Sequence, residues 1–142
     1  MEGFLGEDGI FRASLEVPQE AIDENGHVNN VVYIQWMQDA AVMHSLASGG
    51  TEAMERAGGT WVIRSHTIEY LRPAFAGDML DIITWVANIR RIRSLRKYEF
   101  ARRSDGELLA RGETDWVFLD AGSGRPVPVP DAVAGCFPVV ER

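Results

Sequence analysis

The chain has 142 residues, of which 46% are hydrophobic and 25% charged, a composition typical of one globular domain and not of a disordered chain. Its formal net charge of −7 argues against general nucleic-acid binding, which needs a basic surface. The single cysteine, Cys136, excludes an intramolecular disulfide and a cysteine-based zinc cluster.

The sequence predicts neither export nor membrane insertion. No run of about 18 apolar residues is present, so no membrane-spanning helix is expected. The N-terminus is acidic and lacks a basic segment followed by an apolar run, which predicts no secretory signal peptide. We therefore expect a cytoplasmic protein that forms a single domain over residues 1–142.

The first half of the chain predicts a strand, a polar loop and a long helix. Residues Ile10–Val17 alternate between apolar and polar side chains, the pattern of a half-buried strand. Residues 18–29 are rich in Asp, Asn and Gly and predict a loop. From Asn30 to Ala47 apolar residues recur at spacings of three and four and fill most other positions, which predicts a helix buried on most sides. Gly49 is expected to end it.

The second half predicts a short helical piece at residues 51–57 and then four strands joined by short connections. The predicted strands are Trp61–Arg72, Met79–Arg90, Leu95–Arg103 and Leu108–Leu119. Consecutive short connections favour an antiparallel sheet, and a helix with few polar positions favours a sheet that wraps around it. We therefore predict an α+β fold in which a five-stranded antiparallel sheet surrounds one long central helix.

Residues 23–30 (DENGHVNN) concentrate polar side chains immediately before the predicted helix. A helix N-terminus offers unsatisfied backbone N–H groups and the positive end of the helix dipole. A carbonyl placed there is polarised, and a neighbouring carboxylate or imidazole can attack it or activate water. The same residues also suit a purely structural role, in which Asn29 or Asn30 caps the helix and Asp23 and Asn25 close a turn.

A second cluster is the basic segment from Arg90 to Arg103, which holds seven of the fourteen Lys and Arg residues and one acid. Arginine suits phosphate groups, so on an acidic protein this cluster favours a small polyanionic ligand. A pair of solvated strands explains the same charges without a ligand. The candidates for phosphate contacts flank the turn between the second and third long strands: Arg90, Arg91, Arg93 and Arg96.

Other site chemistries have no matching motif. The histidines His27, His44 and His66 lack metal-binding spacing, so no metal is expected. There is no G-x-S-x-G nucleophile motif and no glycine-rich phosphate loop. We expect His44 and His66 to be structural and Cys136 to be an inert thiol.

Three motifs resemble those of the hotdog-fold thioesterases, in the branch of 4-hydroxybenzoyl-CoA thioesterases and related acyl-CoA and acyl-ACP thioesterases. They are Gly26–Asn30 with Tyr33 and Trp36, Glu69–Pro73 with Gly77 and Asp78, and Trp116–Asp120 with the tail Gly124–Pro130. Together they cover nearly the whole chain. The resemblance implies a hotdog domain that hydrolyses thioesters of CoA, or alternatively of acyl carrier protein, without a cofactor. It also implies a homodimer or homotetramer with active sites at the interface.

The resemblance further implies roles within the loop. In the hydroxybenzoyl-CoA type an aspartate three positions before the glycine is the catalytic carboxylate, and Asp23 holds that place before Gly26. The backbone N–H of Asn30 would then polarise the thioester carbonyl. Plant acyl-ACP thioesterases, which have two hotdog units, show Asp-x-Asn-x-His, and Asp23, Asn25 and His27 match that spacing. Asp23 would act as a nucleophile or as a general base.

Two other kinds of function remain compatible with the same scaffold. One is a non-catalytic module that binds acyl-CoA. The other is a hotdog hydratase or dehydratase, although the usual catalytic patterns of those enzymes are not evident in the chain.

Overall fold

The computed structural model describes residues 1–142 and contains six strands and three α-helices. The strands are β1 (Glu2–Leu5), β2 (Phe11–Glu16), β3 (Gly59–Tyr70), β4 (Met79–Arg90), β5 (Arg93–Arg102) and β6 (Leu108–Asp120). The helices are α1 (Asn30–Ser48), α2 (Gly50–Arg56) and α3 (Asp131–Ala134), with a 3₁₀ turn at Gln19–Ala21. Neither α1 nor the two shorter helices has the length and hydropathy of a membrane-spanning segment.

All six strands form one antiparallel sheet in the order β1-β2-β4-β5-β6-β3. The predicted five-stranded sheet lacks β1, which pairs with β2 from Glu2 opposite Ser14 to Leu5 opposite Phe11. A four-residue segment that begins with Glu and Gly has little strand propensity of its own, so only this pairing defines it. At the other edge β3 pairs with β6 alone, which leaves one side of a 12-residue strand free.

Helix α1 has the start and end that its sequence predicts. Asn29 caps the first turn, because its Oδ1 accepts a hydrogen bond from the Val31 N–H at 2.9 Å and so satisfies one of the free donors there. Gly49 ends the helix with φ of 84°, in the left-handed region that favours glycine. The observed helix extends one residue beyond the predicted Asn30–Ala47.

The core forms where one side of α1 lies against the sheet. Tyr33, Met37 and Ala40 of the helix pack into a cluster with residues of β2, β4, β5 and β6, among them Phe11, Leu80, Ile82, Phe100 and Leu109. The approach is close, because a Cβ added at Gly112 of β6 would lie 2.9 Å from the Cε of Met37. Burial of each such large apolar side chain contributes about 1.5–3 kcal/mol.

The prediction that α1 is buried on most sides is only partly right. Val31, Val42 and Leu46 are 70%, 55% and 63% exposed. At about 100° per residue these three side chains fall on one side of the helix, which we call the exposed face of α1. The sheet of one chain covers the opposite side only, so this apolar face is open to a partner.

Candidate active site

The loop before α1 is a compact turn fixed by backbone hydrogen bonds. The N–H of Asp23 donates to the carbonyl of His27 at 3.1 Å, and the N–H of Gly26 donates to the carbonyl of Asp23 at 3.0 Å. Gly26 has φ of 83°, which favours glycine at this position. The N–H of Val28 donates to the carbonyl of Ala74 at 2.9 Å, which attaches the turn to the segment after β3.

The carboxylate of Asp23 is half-buried at the start of this turn. Its Oδ1 accepts a hydrogen bond from the N–H of Asn25 at 2.8 Å. Asp23 takes part in no salt bridge, and its Oδ2 has no donor within the chain. The turn-closing role that the sequence left open is therefore real, and it orients a carboxylate that keeps one oxygen free for another partner.

Asn25 and His27 share the turn with Asp23, but their side chains do not bond to it. The side chain of Asn25 is exposed. The Nδ1 of His27 lies 3.3 Å from the carbonyl of Val28. The structure thus brings the three predicted residues together without linking them as a hydrogen-bonded triad.

Asn30 supplies a free backbone donor at the start of α1. Asn29 accepts from the N–H of Val31 through its side chain and from the N–H of Val32 through its carbonyl, at 2.9 and 3.0 Å. The N–H of Asn30 has no acceptor within the chain. It stands at the positive end of a 19-residue helix, where a carbonyl or anionic oxygen is stabilised.

Aromatic side chains hold this first turn of α1 on the sheet. The ring of Tyr33 meets those of Trp36, Tyr70 and Phe100 edge-on, with centroids 5.5, 5.5 and 5.1 Å apart. Burial raises the pKa of Tyr33 to about 12, so its hydroxyl stays neutral. The Tyr70 hydroxyl donates to the carbonyl of Asn30 at 2.8 Å. Tyr70 lies in one of the three motifs, but the sequence alone does not reveal this role, because the contact spans 40 residues.

The structure separates the four candidate arginines. Arg90 and Arg93 line a polar depression on the sheet together with Glu113 and Asp115, and Arg93 forms an ion pair with Asp115. Arg91 is exposed in the turn between β4 and β5, with φ of 51°. These three arginines share one hairpin, which we call the arginine hairpin.

Arg96 does not join them. Residues on a strand alternate between its two faces, so Arg96, three residues after Arg93, belongs to the opposite face of β5. Arg96 is 5% exposed, and its Nη1 donates to Nδ1 of His44 at 2.8 Å and to Oγ1 of Thr84 at 3.1 Å. The structure therefore contradicts the grouping of Arg96 with Arg90, Arg91 and Arg93 as candidates for phosphate contacts at one turn.

The other cations of the basic segment are balanced by carboxylates that are distant in sequence. The pairs are Lys97–Glu113 at 3.6 Å, Arg102–Asp78 at 3.3 Å and Arg103–Asp81 at 2.6 Å. A count of charges along the segment overstates its net charge, because strand pairing supplies the acids. The pairs of Lys97 and Arg103 are solvent-exposed, and exposed pairs contribute little to stability.

The loop and the arginine hairpin lie at opposite ends of the sheet. Glu16, just before the loop, pairs with Met79 at the start of β4. Arg90 ends that strand eleven residues later, which at about 3.3 Å per residue is about 36 Å along the strand. One chain therefore does not place Arg90 beside Asp23.

A cavity of about 270 Å³, which sequence analysis did not find, lies between α1, α2 and the sheet. Most of its lining is apolar and includes Val42, Met54, Trp61, Val86, Trp116 and Phe137. Arg96 is the charged residue of the lining. No local pattern marks this site, because its walls come from elements far apart in sequence.

The remaining histidines occupy internal positions. His66 lies within hydrogen-bonding distance of Oγ1 of Thr114, at 2.8 Å, and 3.4 Å from Nε2 of Gln38, and burial lowers its pKa. His44 is 1% exposed. These contacts agree with the structural roles expected for both. No group of three or more His, Cys, Asp or Glu side chains is arranged to hold a metal ion.

Comparison with known proteins shows the family. Residues 17–137 match the model of the thioesterase-like superfamily. A chloroplastic acyl-acyl carrier protein thioesterase of Arabidopsis thaliana is 27% identical over 139 residues, which cover 96% of this chain and 73% of the relative.

Solved structures show the same fold. A 1,4-dihydroxy-2-naphthoyl-CoA thioesterase from Synechocystis has a TM-score of 0.80 and 19% identity over 89% of this chain and 94% of that one. An acyl-ACP thioesterase from Bacteroides thetaiotaomicron has a TM-score of 0.86 and 19% identity over 96% of this chain and 56% of that one, so this chain spans about half its length. The α+β hotdog fold predicted from the sequence is confirmed, with six strands. The chain belongs to the thioesterase-like superfamily and is a thioester hydrolase.

Proposed function

We propose that this thioester hydrolase acts on acyl-CoA and that Asp23 is its catalytic carboxylate. The observation that carries the proposal is the free Oδ2 of a half-buried Asp23 on the same short loop as the free N–H of Asn30. A thioester carbonyl that accepts a hydrogen bond from Asn30 is polarised, so its carbon becomes more open to attack. The oriented carboxylate supplies the attack or activates the water that makes it.

Two routes use the same groups. As a nucleophile, Asp23 forms a bond to the acyl carbon while the C–S bond breaks and the CoA thiolate leaves; water then hydrolyses the mixed anhydride to the free acid. As a general base, Asp23 takes a proton from a water whose oxygen attacks the same carbon. Asn25 and His27 flank Asp23, and we assign them the role of orienting the carbonyl or the water by hydrogen bonds.

The arginine hairpin supports CoA as the thiol. Arg90 and Arg91 are exposed and form no ion pair in the chain, and arginine suits the phosphates of CoA. By its name, the Synechocystis neighbour acts on a CoA thioester. The second candidate is acyl carrier protein, favoured by the name of the Arabidopsis relative.

A thiol-release assay separates these substrates. We expect a higher kcat/KM for acyl-CoA than for the same acyl group on acyl carrier protein. A preference for the carrier protein would replace the first candidate with the second. Failure to release thiol from either would contradict the assignment of Asp23 and Asn30.

The phosphate contacts of the arginine hairpin are tested by pairing two substrates. We expect Arg90→Ala and Arg91→Ala each to raise KM for an acyl-CoA about tenfold, because each removes an exposed arginine without an ion-pair partner and with it a charge-assisted contact to phosphate. KM for the matching acyl-pantetheine, which lacks the phosphates, should stay within about twofold. The matched control is Arg125→Ala, which removes an exposed arginine outside the hairpin. Equal effects on both esters would exclude phosphate recognition here.

We also propose that the chain works as a homodimer or homotetramer. The free edge of β3 and the exposed face of α1 are both open to a second copy. About 36 Å of strand separates the loop from the arginine hairpin, so the two groups serve one CoA ester only if they come from different copies.

Light scattering tests the assembly. We expect a mass of at least twice the 15.8 kDa of the chain. Leu46→Glu places a charge on the exposed face of α1 and should shift the mass toward the monomer. Ala47→Glu, at a neighbouring exposed position on another side of the helix, is the control. A monomeric parent protein would contradict the proposal.

A further inference from the structure

The chain buries one positive charge without a carboxylate partner. Arg96 is 5% exposed and takes part in no salt bridge. Both hydrogen bonds of the Arg96 side chain are donated by Nη1, to His44 and to Thr84. The Nε and Nη2 atoms have no acceptor within the chain. The guanidinium carbon lies 5.8 Å from the ring centroid of Phe137. A buried charge of this kind is costly unless an anion meets it.

His44 does not neutralise this charge. Its Nδ1 accepts from Arg96 at 2.8 Å, which places the ring proton on Nε2, a buried atom without a partner. The rings of Phe11 and Phe137 enclose the imidazole at centroid distances of 5.6 and 5.4 Å. Burial and the charge of Arg96 lower the pKa of His44 to about 3. The imidazole is therefore neutral, and the pair keeps a full positive charge.

Arg96 brings this charge to the cavity beside α1. The lining of the cavity is otherwise apolar or hydroxyl-bearing, and it includes Ser94, two residues before Arg96 on β5. The volume of about 270 Å³ is many times what a single water molecule needs, so the cavity has room for part of an acyl chain. An apolar pocket with one cation fits an apolar chain that ends in an anion.

We propose that this cavity binds the far end of an acyl group that carries a terminal carboxylate, and that Arg96 is the residue that selects it. The inference rests on the proposed thioester hydrolysis and names its class of acyl group. The Nε and Nη2 atoms of a guanidinium present two parallel donors to the two oxygens of a carboxylate, and in Arg96 both are free. The ligand thus supplies the anion that the chain lacks.

The position of the cavity decides which active-site loop it serves. Ala41 and Ser45 lie 11 and 15 residues from the start of α1, which is about 17 to 23 Å along the helix axis. A six-carbon acyl group does not span this distance to Asp23 of its own chain. Val42 belongs to both the cavity wall and the exposed face of α1. Even an extended chain of about a dozen carbons falls short of the lower figure, so an acyl group of this length or shorter is attacked by Asp23 of a second copy.

Kinetics with matched esters tests the selection. We compare adipoyl-CoA with hexanoyl-CoA, and dodecanedioyl-CoA with dodecanoyl-CoA. In at least one pair the carboxylated ester should have the higher kcat/KM, by about tenfold or more. Arg96→Met keeps a side chain of similar shape without the charge and should abolish that preference while alkyl esters are still hydrolysed. Lys97→Met, the next residue on the outer face of β5, should preserve it.

A binding experiment separates failure of this inference from failure of the proposed function. Free adipate or dodecanedioate should raise the melting temperature of the parent protein, and not that of Arg96→Met, whether or not any ester is hydrolysed. Without ligand, Arg96→Met should melt at the same temperature as the parent or higher, because it removes an unpaired buried charge. If alkyl and carboxylated esters are hydrolysed alike and the free diacids raise the melting temperature of neither protein, the inference is wrong and the hydrolase assignment stands.

Discussion

Asp23→Asn is expected to lower kcat/KM for acyl-CoA hydrolysis by about 10²–10⁴-fold, the range for loss of a positioned acid or base. The amide has the shape of the carboxylate, and its oxygen can still accept the N–H of Asn25, so the turn is preserved. It cannot act as a base or form the mixed anhydride. The Kd for acyl-CoA, measured by calorimetry, should stay within about threefold of that of the parent protein. The contacts that bind the ester before reaction do not depend on the attacking group.

The control for this variant is Glu24→Gln, which removes a negative charge from the exposed neighbouring position. It should retain nearly full activity. If Asp23→Asn also retained it, with an unchanged melting temperature, the attacking group would have to lie elsewhere. Loss of activity in both variants would point to the charge of the loop as a whole and not to one carboxylate.

The fold could be predicted from the sequence where local pattern and tertiary packing agree. Strand β4 has the predicted bounds Met79–Arg90, and α1 begins at the predicted Asn30. Strand β3 begins and ends two residues earlier than predicted, within the usual uncertainty of element ends. Strand β1 was missed because its four residues have little strand propensity, while its pairing with β2 and the packing of Leu5 on the core arise only in the fold.

The candidate site could likewise be predicted where its contacts are local in sequence, and not where they join distant elements. The loop from Asp23 to Asn30 could be found because the hydrogen bonds that close its turn are local, among them the one from the N–H of Asn25 to Oδ1 of Asp23. The contact of Arg96 with His44 joins residues 52 apart and exists only once β5 faces α1. The alternation of side chains along β5 does predict that Arg93 and Arg96 lie on opposite faces of the sheet, since they are an odd number of residues apart.

Arg96 also shows why a charge count misleads in a sheet protein. When charges are counted along the sequence, Arg96 adds to a basic segment that predicts phosphate binding. In the fold it lies on the opposite side of the sheet from Arg93, in an apolar environment where its charge is far more costly. The two proposals made above thus assign different ligand chemistries to nearby positions of one strand, phosphate on the outer face and carboxylate on the inner one.

Tyr33→Ala is expected to lower the free energy of unfolding by about 3–5 kcal/mol, the range for removal of a buried aromatic ring. Tyr33 is 3% exposed and its ring contacts the aromatic side chains of Trp36, Tyr70 and Phe100. For a domain whose total stability is about 5–15 kcal/mol, urea unfolding should show a large shift of the midpoint. Hydrolysis should fall as well under conditions where the variant is still folded, because Tyr33 anchors the turn that presents the N–H of Asn30.

Tyr33→Phe is the matched control, since it keeps the ring and removes a hydroxyl that has no hydrogen-bond partner within the chain. It should change the unfolding free energy by less than about 1 kcal/mol, because no bonded group loses its partner. Parent-like hydrolysis by folded Tyr33→Ala would show that the first turn of α1 keeps its position without the aromatic cluster. The backbone N–H of Asn30 would then be held in place by the Asn29 cap and the Tyr70 hydroxyl alone. In that case Tyr70→Phe should lower kcat without a comparable loss of stability.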